Sequence, residues 1–455
     1  MEHLSNTDAL MWFVEEDPLL RSTIVGVFVL DSTPDWGKVN HRIERVTHQL
    51  PMLRHRIVVS AVNPGHLRWE PVEDLDLGYH LRHIQLPEGA GIDDVLEFAR
   101  TTAAAGFDKS RPLWEYNVLD GLEGGRAALV TKMHHVLTDG VGSIQIAARV
   151  FDFEPHPAPR PEVEPFLPHP TPLDPVSRFV GDLLEEFDTT TQLVAHQFTT
   201  TLPNLVKASF NPAKLLRDSV EVVKSVGRTV APTLTTYSPI MTARGRTNSF
   251  HVLDLPLADL RHAAHAAHGT LNDAFLAGIT GGIRRYHEHH GVSTELLRVA
   301  MPISLREDDH AEGGNHVTVL RFTVPAPIVD AAERIRAMGE VAHRQREEAS
   351  LPFTDRLAGV LNLLPTSLIG AMMKHVDFLA SNVPGTPIPM YLEGAKVEQF
   401  FPFGPTAGAA VNVTLMSYCG RVCIGLNCDR QAIPDVEEFM RCMTEGFDEV
   451  LALAD

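Results

Sequence analysis

Apolar positions along the chain fall into two stretches of mixed strand and helix periodicity, separated by a segment that follows neither. In the first stretch, "STIVGVFVLD" (22–31) is a β-branched run of the kind that forms a buried strand. A short helix is predicted before it, in "SNTDALMWFVEE" (5–16), where cap-type residues precede an apolar stripe. "GKVNHRIERVTHQL" (37–50) puts Val39, Ile43, Val46 and Leu50 on one helical face. "HRIVVSAV" (55–62) and "HLRHIQL" (80–86) predict strands, and "GIDDVLEFARTTAAAG" (91–106) a helix closed by Gly106. "LWEYNVLD" (113–120) and "RAALVTKM" (126–133) read as strands joined by the turn "GLEGG". "VGSIQIAARVF" (141–151) reads as a helix that turns Ile144, Ala147, Ala148 and Phe151 inward.

The second stretch repeats this character without repeating the sequence. "SFHVLDL" (249–255), "LLRVAMPISL" (296–305) and "HVTVLRFTV" (316–324) are strand patterns. "PLADLRHAAHAAHG" (256–269), "LNDAFLAGITGGIRRYHEHHG" (271–291) and "DAAERIRAMGEVAHRQREEA" (330–349) are helical. "VNVTLMSY" and "RVCIGLNCD" form a hairpin with Cys419-Gly420 at its turn, and an amphipathic helix from Pro434 closes the chain. The whole is a mixed α/β fold. Between the stretches, "EPHPAPRPEVEPFLPHPTPLDP" (154–175) is an extended linker, because proline fixes φ and removes donors. A helical pattern follows from about Val176, broken at Pro203 and Pro212.

Composition narrows the function. At 455 residues the chain is long enough for two cores, and 44% apolar with 21% charged residues is ordinary for a globular protein. A formal charge of −19 argues against nucleic acid, which needs excess Lys and Arg. One local exception runs to Arg246: Lys207, Lys214, Arg217, Lys224, Arg228, Arg244 and Arg246 stand against Asp218 and Glu221. It reads as a solvated helix face or as a patch for an anionic substrate or a lipid surface. Cys419, Cys423, Cys428 and Cys442 lack knuckle spacing and read as thiols in a reducing compartment. The N-terminus lacks a basic, then apolar, signal pattern, and no run reaches the roughly 18 apolar residues of a span. The expectation is a cytoplasmic protein.

The candidate chemistry lies in "HHVLTDG", His134 to Gly140, where a strand leaves its sheet and a helix begins. Three readings fit. The residues form a capped strand-to-helix turn, with Asp139 bonding free N–H groups and Gly140 allowing close packing. Alternatively His135 and Asp139 are metal ligands, a reading short of a third ligand. In the third, a histidine at a strand end points into a cleft as a general base. His262, His265 and His268 read as a surface stripe rather than a metal site, because a spacing of three drifts around a helix. "YHEHHG" (286–291) reads likewise as a polar helix end. "LAGVLNLLPTSLIGAMM", Leu357 to Met373, is core, the wall of an apolar tunnel or a lipid-facing surface, and Pro365 breaks it.

The H-H-x-x-x-D-G pattern resembles that of acyltransferases related to chloramphenicol acetyltransferase and to condensation domains. "RPLWEYNVLDGLEGG", "LNDAFLAGITGGIRRY", "MPISLR" and "SNVPGTPIPMYLEGAKV", in this order, resemble the bacterial wax ester synthase/diacylglycerol acyltransferase family over nearly the whole chain. The resemblance implies two chloramphenicol acetyltransferase-like domains, at 1–153 and 247–455, joined by 154–246, with a tunnel at their interface. It implies an O-acyltransferase that moves a long-chain acyl group from acyl-CoA to diacylglycerol or a fatty alcohol. No other cofactor, no metal and no covalent intermediate is needed. His135 would be the general base and His134 its support. Asp139 would be structural, paired with an arginine for which Arg306 is the candidate. Asn272 either positions the catalytic centre or donates to the oxyanion, or it is a plain helix N-cap. Ser381 and Asn382 either line the tunnel or form the turn of "NVPG". Contact with the inner membrane face or lipid droplets would be peripheral. The same fold could serve another alcohol or a polyketide acceptor, and a non-catalytic lipid-coating protein is the reading from a different class.

Overall fold

The computed structural model of the protein describes residues 4–59, 67–137, 140–158, 160, 163–166, 235–304, 317–346 and 374–454. The first half runs α1 (Asn6–Val14), β1 (Thr23–Leu30), α2 (Trp36–Gln49), β2 (His55–Val59), β3 (Leu67–Pro71), α3 (Leu77–His80), β4 (Leu81–Ala90), α4 (Ile92–Ala104), β5 (Trp114–Leu122), β6 (Ala127–His134) and α5 (Gly140–Val150). The second runs β7 (Asn248–Pro256), α6 (Leu257–Ala266), α7 (Leu271–His289), β8 (Leu296–Ser304), β9 (Val317–Pro325), α8 (Ala331–Arg346), β10 (Val376–Val383), β11 (Tyr391–Leu392), β12 (Ala395–Phe403), β13 (Ala409–Tyr418), β14 (Arg421–Asp429) and α9 (Val436–Leu451).

The strands form two six-stranded sheets and a small β2-β3 ribbon. One large sheet is ordered β11-β12-β1-β6-β5-β4 and the other β7-β14-β13-β10-β8-β9. The first therefore contains two strands from the far end of the chain. β12 pairs antiparallel with β1, from Val25 opposite Phe403 to Leu30 opposite Val397, so the second half completes the sheet of the first. β12 also packs on β14, where Gly425 faces the Pro402 carbonyl and a Cβ would overlap that oxygen. Gly425→Ala should therefore destabilise the protein by about 1–3 kcal/mol, the usual range for overpacking, read as a lower denaturant midpoint. An unchanged midpoint would show that the crossing relaxes freely.

Amphipathic patterning sets the layers. Val39, Ile43 and Val46 of α2 are buried, as their spacing requires, in a core with Phe28, Trp114 and Leu129 of the first sheet. Alternation along β13 sends Val411, Val413 and Leu415 into the core formed with α6 to α9. The intervening Asn412, Thr414 and Met416 face the opposite way, into a cavity. α7 is buried on nearly all sides, which explains why its pattern is apolar around the whole helix. The β13-β14 hairpin turns at Cys419 and Gly420, both with positive φ (45° and 81°), in the left-handed conformations that a two-residue loop demands. Cys419 is exposed, and the other three cysteines are buried free thiols.

The histidine-rich helices divide. His262, His265 and His268 are exposed. His287, expected at a polar helix end, is instead buried: its Nδ1–H donates to the Ile283 carbonyl (2.7 Å), and its Nε2 accepts from the Ser238 hydroxyl (2.8 Å). One turn of the helix carries it from the exposed face to the core side. Among the described residues no helix is long and apolar enough to cross a membrane. Leu357 to Met373 lies outside the described residues.

Candidate active site

β6 ends at His134, and the next residue is held by backbone bonds. The His135 N–H donates to the Ser22 carbonyl (2.8 Å) and the Leu137 N–H to the His134 carbonyl (3.0 Å). The two histidines then part company. His134 is fully buried, with Trp12 and Phe107 edge-on to its ring at 6.1 and 6.0 Å between centroids. Its Nδ1 accepts from the Val136 N–H (3.1 Å), which leaves Nε2–H to donate to Glu15 (2.7 Å). Burial alone would raise the Glu15 pKa. The hydrogen bond from His134, with the charges of Lys109 and Arg21, outweighs it and holds the carboxyl below its ordinary value. His134 thus links α1 to the turn that carries His135.

His135 is half-buried and lines a cavity of about 420 Å³ between the two sheets. The first half contributes β1, β5, β6 and α5 through Phe28, Tyr116, Met133 and Ile146, with Phe151 just after the helix. The second contributes Leu379 and Ser381 of β10, Met416 of β13, Phe400 of β12 and the loop after it. Phe28 stacks on Phe400 with ring centroids 3.9 Å apart, so the strand lent by the second half builds an aromatic wall with the first. The lining is mostly apolar, with a few polar groups converging on it, among them Ser22, His135, Arg321 and Ser381. That is the composition of a site for a hydrophobic ligand that reacts at one point. Burial pushes the Tyr116 phenol up, so it stays protonated.

Neighbouring charges fix the frame. Lys132, fully buried on β6, pairs with Glu115 on β5 (2.9 Å) and sits over the Phe107 ring at 4.2 Å. At the far end of α5, Arg42 donates to the Val150 carbonyl (2.7 Å) and pairs with Asp152 and Glu393. Asp152 also exchanges two backbone hydrogen bonds of 2.8 Å with Tyr391 on β11. The helix after the histidine motif is thereby tied to the strands that came from the second half.

The other candidate residues fall in different places. Ser381 faces the cavity from β10. Asn382, its neighbour, points to the opposite face of the strand, where its amide donates to the Asn272 side-chain oxygen (2.6 Å) at the start of α7. Neither asparagine lines the cavity. The cap of α7 is Thr270, whose hydroxyl accepts from the Asp273 N–H while Asp273 accepts from the Thr270 N–H (2.8 Å). Gly140 opens α5. Asp139 and Arg306 lie outside the described residues, and so does their pairing. Among the described residues no three His, Cys, Asp or Glu side chains converge as metal ligands. Glu15, Arg321 and the β12 wall had no local signal in the sequence: each reaches the site by a contact between distant segments.

Comparison with known proteins gives the family and the fold. Residues 4–275 match the model of the wax ester synthase/diacylglycerol acyltransferase catalytic domain, and residues 313–450 match that of the family's C-terminal domain. A Mycobacterium tuberculosis protein named as a diacylglycerol O-acyltransferase is 32% identical over 465 residues, covering 100% of this chain and 92% of its own. A Mycobacterium bovis protein of the same name is 27% identical over 410 residues, covering 86% of this chain and 85% of its own. Among solved structures, the wax ester synthase/diacylglycerol acyltransferase of Marinobacter aquaeolei VT8 superposes with a TM-score of 0.66 at 21% identity, over 100% of both chains. The first condensation domain of the calcium-dependent antibiotic synthetase does so at 0.62 and 15%, over 99% of this chain and 95% of its own. These two share the fold.

Proposed function

The chain belongs to the wax ester synthase/diacylglycerol acyltransferase family and is an acyltransferase, and from that premise we propose that it moves a long-chain fatty acyl group from acyl-CoA to a lipid alcohol, with diacylglycerol or a fatty alcohol as acceptor and His135 as the general base. The observation that carries this reading is the position of His135 on the wall of an apolar cavity built from both halves of the molecule.

The chemistry follows from that position. The acceptor hydroxyl attacks the thioester carbonyl carbon while the His135 ring takes its proton, so the nucleophile is never a free alkoxide in an apolar site. The tetrahedral oxyanion collapses, the C–S bond breaks, and the CoA sulfur leaves with the proton that the imidazolium returns. One ester forms for each thioester consumed, and no group on the protein is acylated. His134 acts by position: its two ring bonds lock the turn on which His135 stands. Asp139, paired with Arg306, would strut the same turn from the helix side, and Gly140 would let α5 begin close to it. Ser381 offers a polar contact within the cavity, while Asn272 and Asn382 fasten α7 to β10 behind it. The exposed Phe153 at the cavity rim favours a peripheral encounter with a membrane or lipid droplet.

The test uses the purified full chain with palmitoyl-CoA and a panel of diacylglycerol, hexadecanol and short alcohols, following thiol release. Diacylglycerol or hexadecanol should accelerate release well above hydrolysis. Release that no alcohol accelerates would overturn the assignment and favour a lipid-coating role.

A further inference from the structure

A second hollow adjoins the acyl cavity and differs from it in chemistry. It consists of two adjacent clefts of about 240 and 540 Å³ at the seam between the halves, both lined by Leu19, Gly245 and Arg246. The larger lies by itself in the size range of ligand sites. The smaller shares Pro405 and Thr406 with the acyl cavity, so the loop after β12 is the wall between them. That wall is held firmly. Asn427 donates to the Gly404 carbonyl (2.9 Å), Asn412 to the Pro405 carbonyl (2.6 Å) and Arg244 to the Gly408 carbonyl (2.7 Å).

The clefts are basic in an acidic protein. Arg21, Arg100, Arg244, Arg246 and Lys374 line them. The carboxylates beside these cations are Asp17, bonded to Lys374 (2.6 Å) and within the field of Arg246, Glu97, bonded to Arg100, and Asp429 and Asp377, both within the field of Arg244. Arg244 spends its donors on the backbone carbonyls of Met241, Ala243, Val376 and Gly408, and none goes to a carboxylate. Arg246 is exposed and has no hydrogen-bond partner among the described residues. The surplus is felt next door. His375 is pushed below the ordinary imidazole value, first by burial and then by Arg244, Arg298 and Lys374. A low-dielectric cleft with one sign of charge focuses its field on an incoming anion.

We propose that this cleft holds the phosphate groups of the acyl donor, with Arg246 as a direct ligand and Arg21, Arg100 and Lys374 around it, so that the donor's thioester arm runs along the Pro405–Thr406 loop that borders both hollows toward the acyl cavity. The inference rests on the acyl-CoA reading above and adds where the nucleotide end sits. It also gives a use to the basic end of the connector, of which Arg244 and Arg246 are the described members.

The experiment compares two donors: palmitoyl-CoA, and the palmitoyl thioester of N-acetylcysteamine, which keeps the reacting bond and chain but carries no phosphate. Arg246→Glu should raise KM for palmitoyl-CoA about tenfold relative to KM for the truncated donor, the size of one lost charged contact. Arg246→Lys should recover most of that ratio. Binding of 3′,5′-ADP, followed by calorimetry on the same proteins, should weaken in parallel with Arg246→Glu. An unchanged KM ratio with unchanged 3′,5′-ADP affinity would overturn the proposal. So would a loss of binding to phosphatidic acid vesicles with donor kinetics intact, which would make the cleft a lipid-headgroup site. If neither thioester is turned over by the wild type, the acyl-transfer reading fails, and the 3′,5′-ADP titration still decides the phosphate site.

Discussion

Replacing His135 with alanine should lower acyl transfer by about 10²- to 10⁴-fold, the span a positioned general base contributes, and leave the protein folded. The first half of this expectation follows from the cavity. His135 is the histidine on its lining, and an alcohol proton released among Phe28, Met133, Phe151 and Leu379 is surrounded by side chains that cannot accept it. The second half follows from how the residue is held. The backbone N–H that donates to the Ser22 carbonyl (2.8 Å) is kept by alanine, and the residue as a whole is only half-buried. The thermal midpoint should therefore stay close to wild type while thiol release from palmitoyl-CoA collapses in kcat. A loss below about threefold would remove His135 from the chemistry.

The second large effect is expected at Glu15. Glu15→Leu takes away the acceptor of the His134 Nε2–H and leaves that donor buried, which costs about 1–3 kcal/mol. The stability difference should depend on pH in a definite direction. The folded-state pKa of Glu15 lies below its unfolded value, so the carboxylate stabilises the fold above the ordinary glutamate range and the benefit is lost as pH falls through the folded pKa. Wild type and variant should differ most near neutrality and converge in acid. Activity should fall through kcat, because the ring of His134 sets the turn carrying His135 and touches no cavity-lining surface of its own. A constant gap across the acid range would show that the His134 bond does not depend on the charge of Glu15.

How much of this was legible in the sequence depends on whether the signal was local. β1, α2, β5, β6 and α7 follow from β-branched runs and 3.6-residue stripes, and the register of His134 and His135 at a strand end follows from where "RAALVTKM" stops. β12 was not readable: "EGAKVEQFFPF" mixes charges with aromatics because Lys396 and Glu398 are exposed at one end of the strand while Phe401 and Phe403 are buried at the other, and the strand packs on β13 and β14. Its partner β1 lies more than 350 positions away, and no local pattern encodes that pairing. Asn272 shows the same limit. Its place at a helix start suggested a cap or an oxyanion donor, yet Thr270 holds the cap and Asn272 accepts from Asn382, a residue 110 positions on. Glu15 looked like an ordinary helix end until a histidine 119 positions away was packed against it.

The most direct measurement is a crystal structure with a palmitoyl-CoA thioether analogue and an alcohol acceptor bound together. The acceptor hydroxyl should lie about 2.6–3.2 Å from a ring nitrogen of His135, within reach of the carbon that replaces the thioester carbonyl. An acyl chain seated in the cavity with the hydroxyl held by another side chain, and His135 turned away from both, would contradict the mechanism.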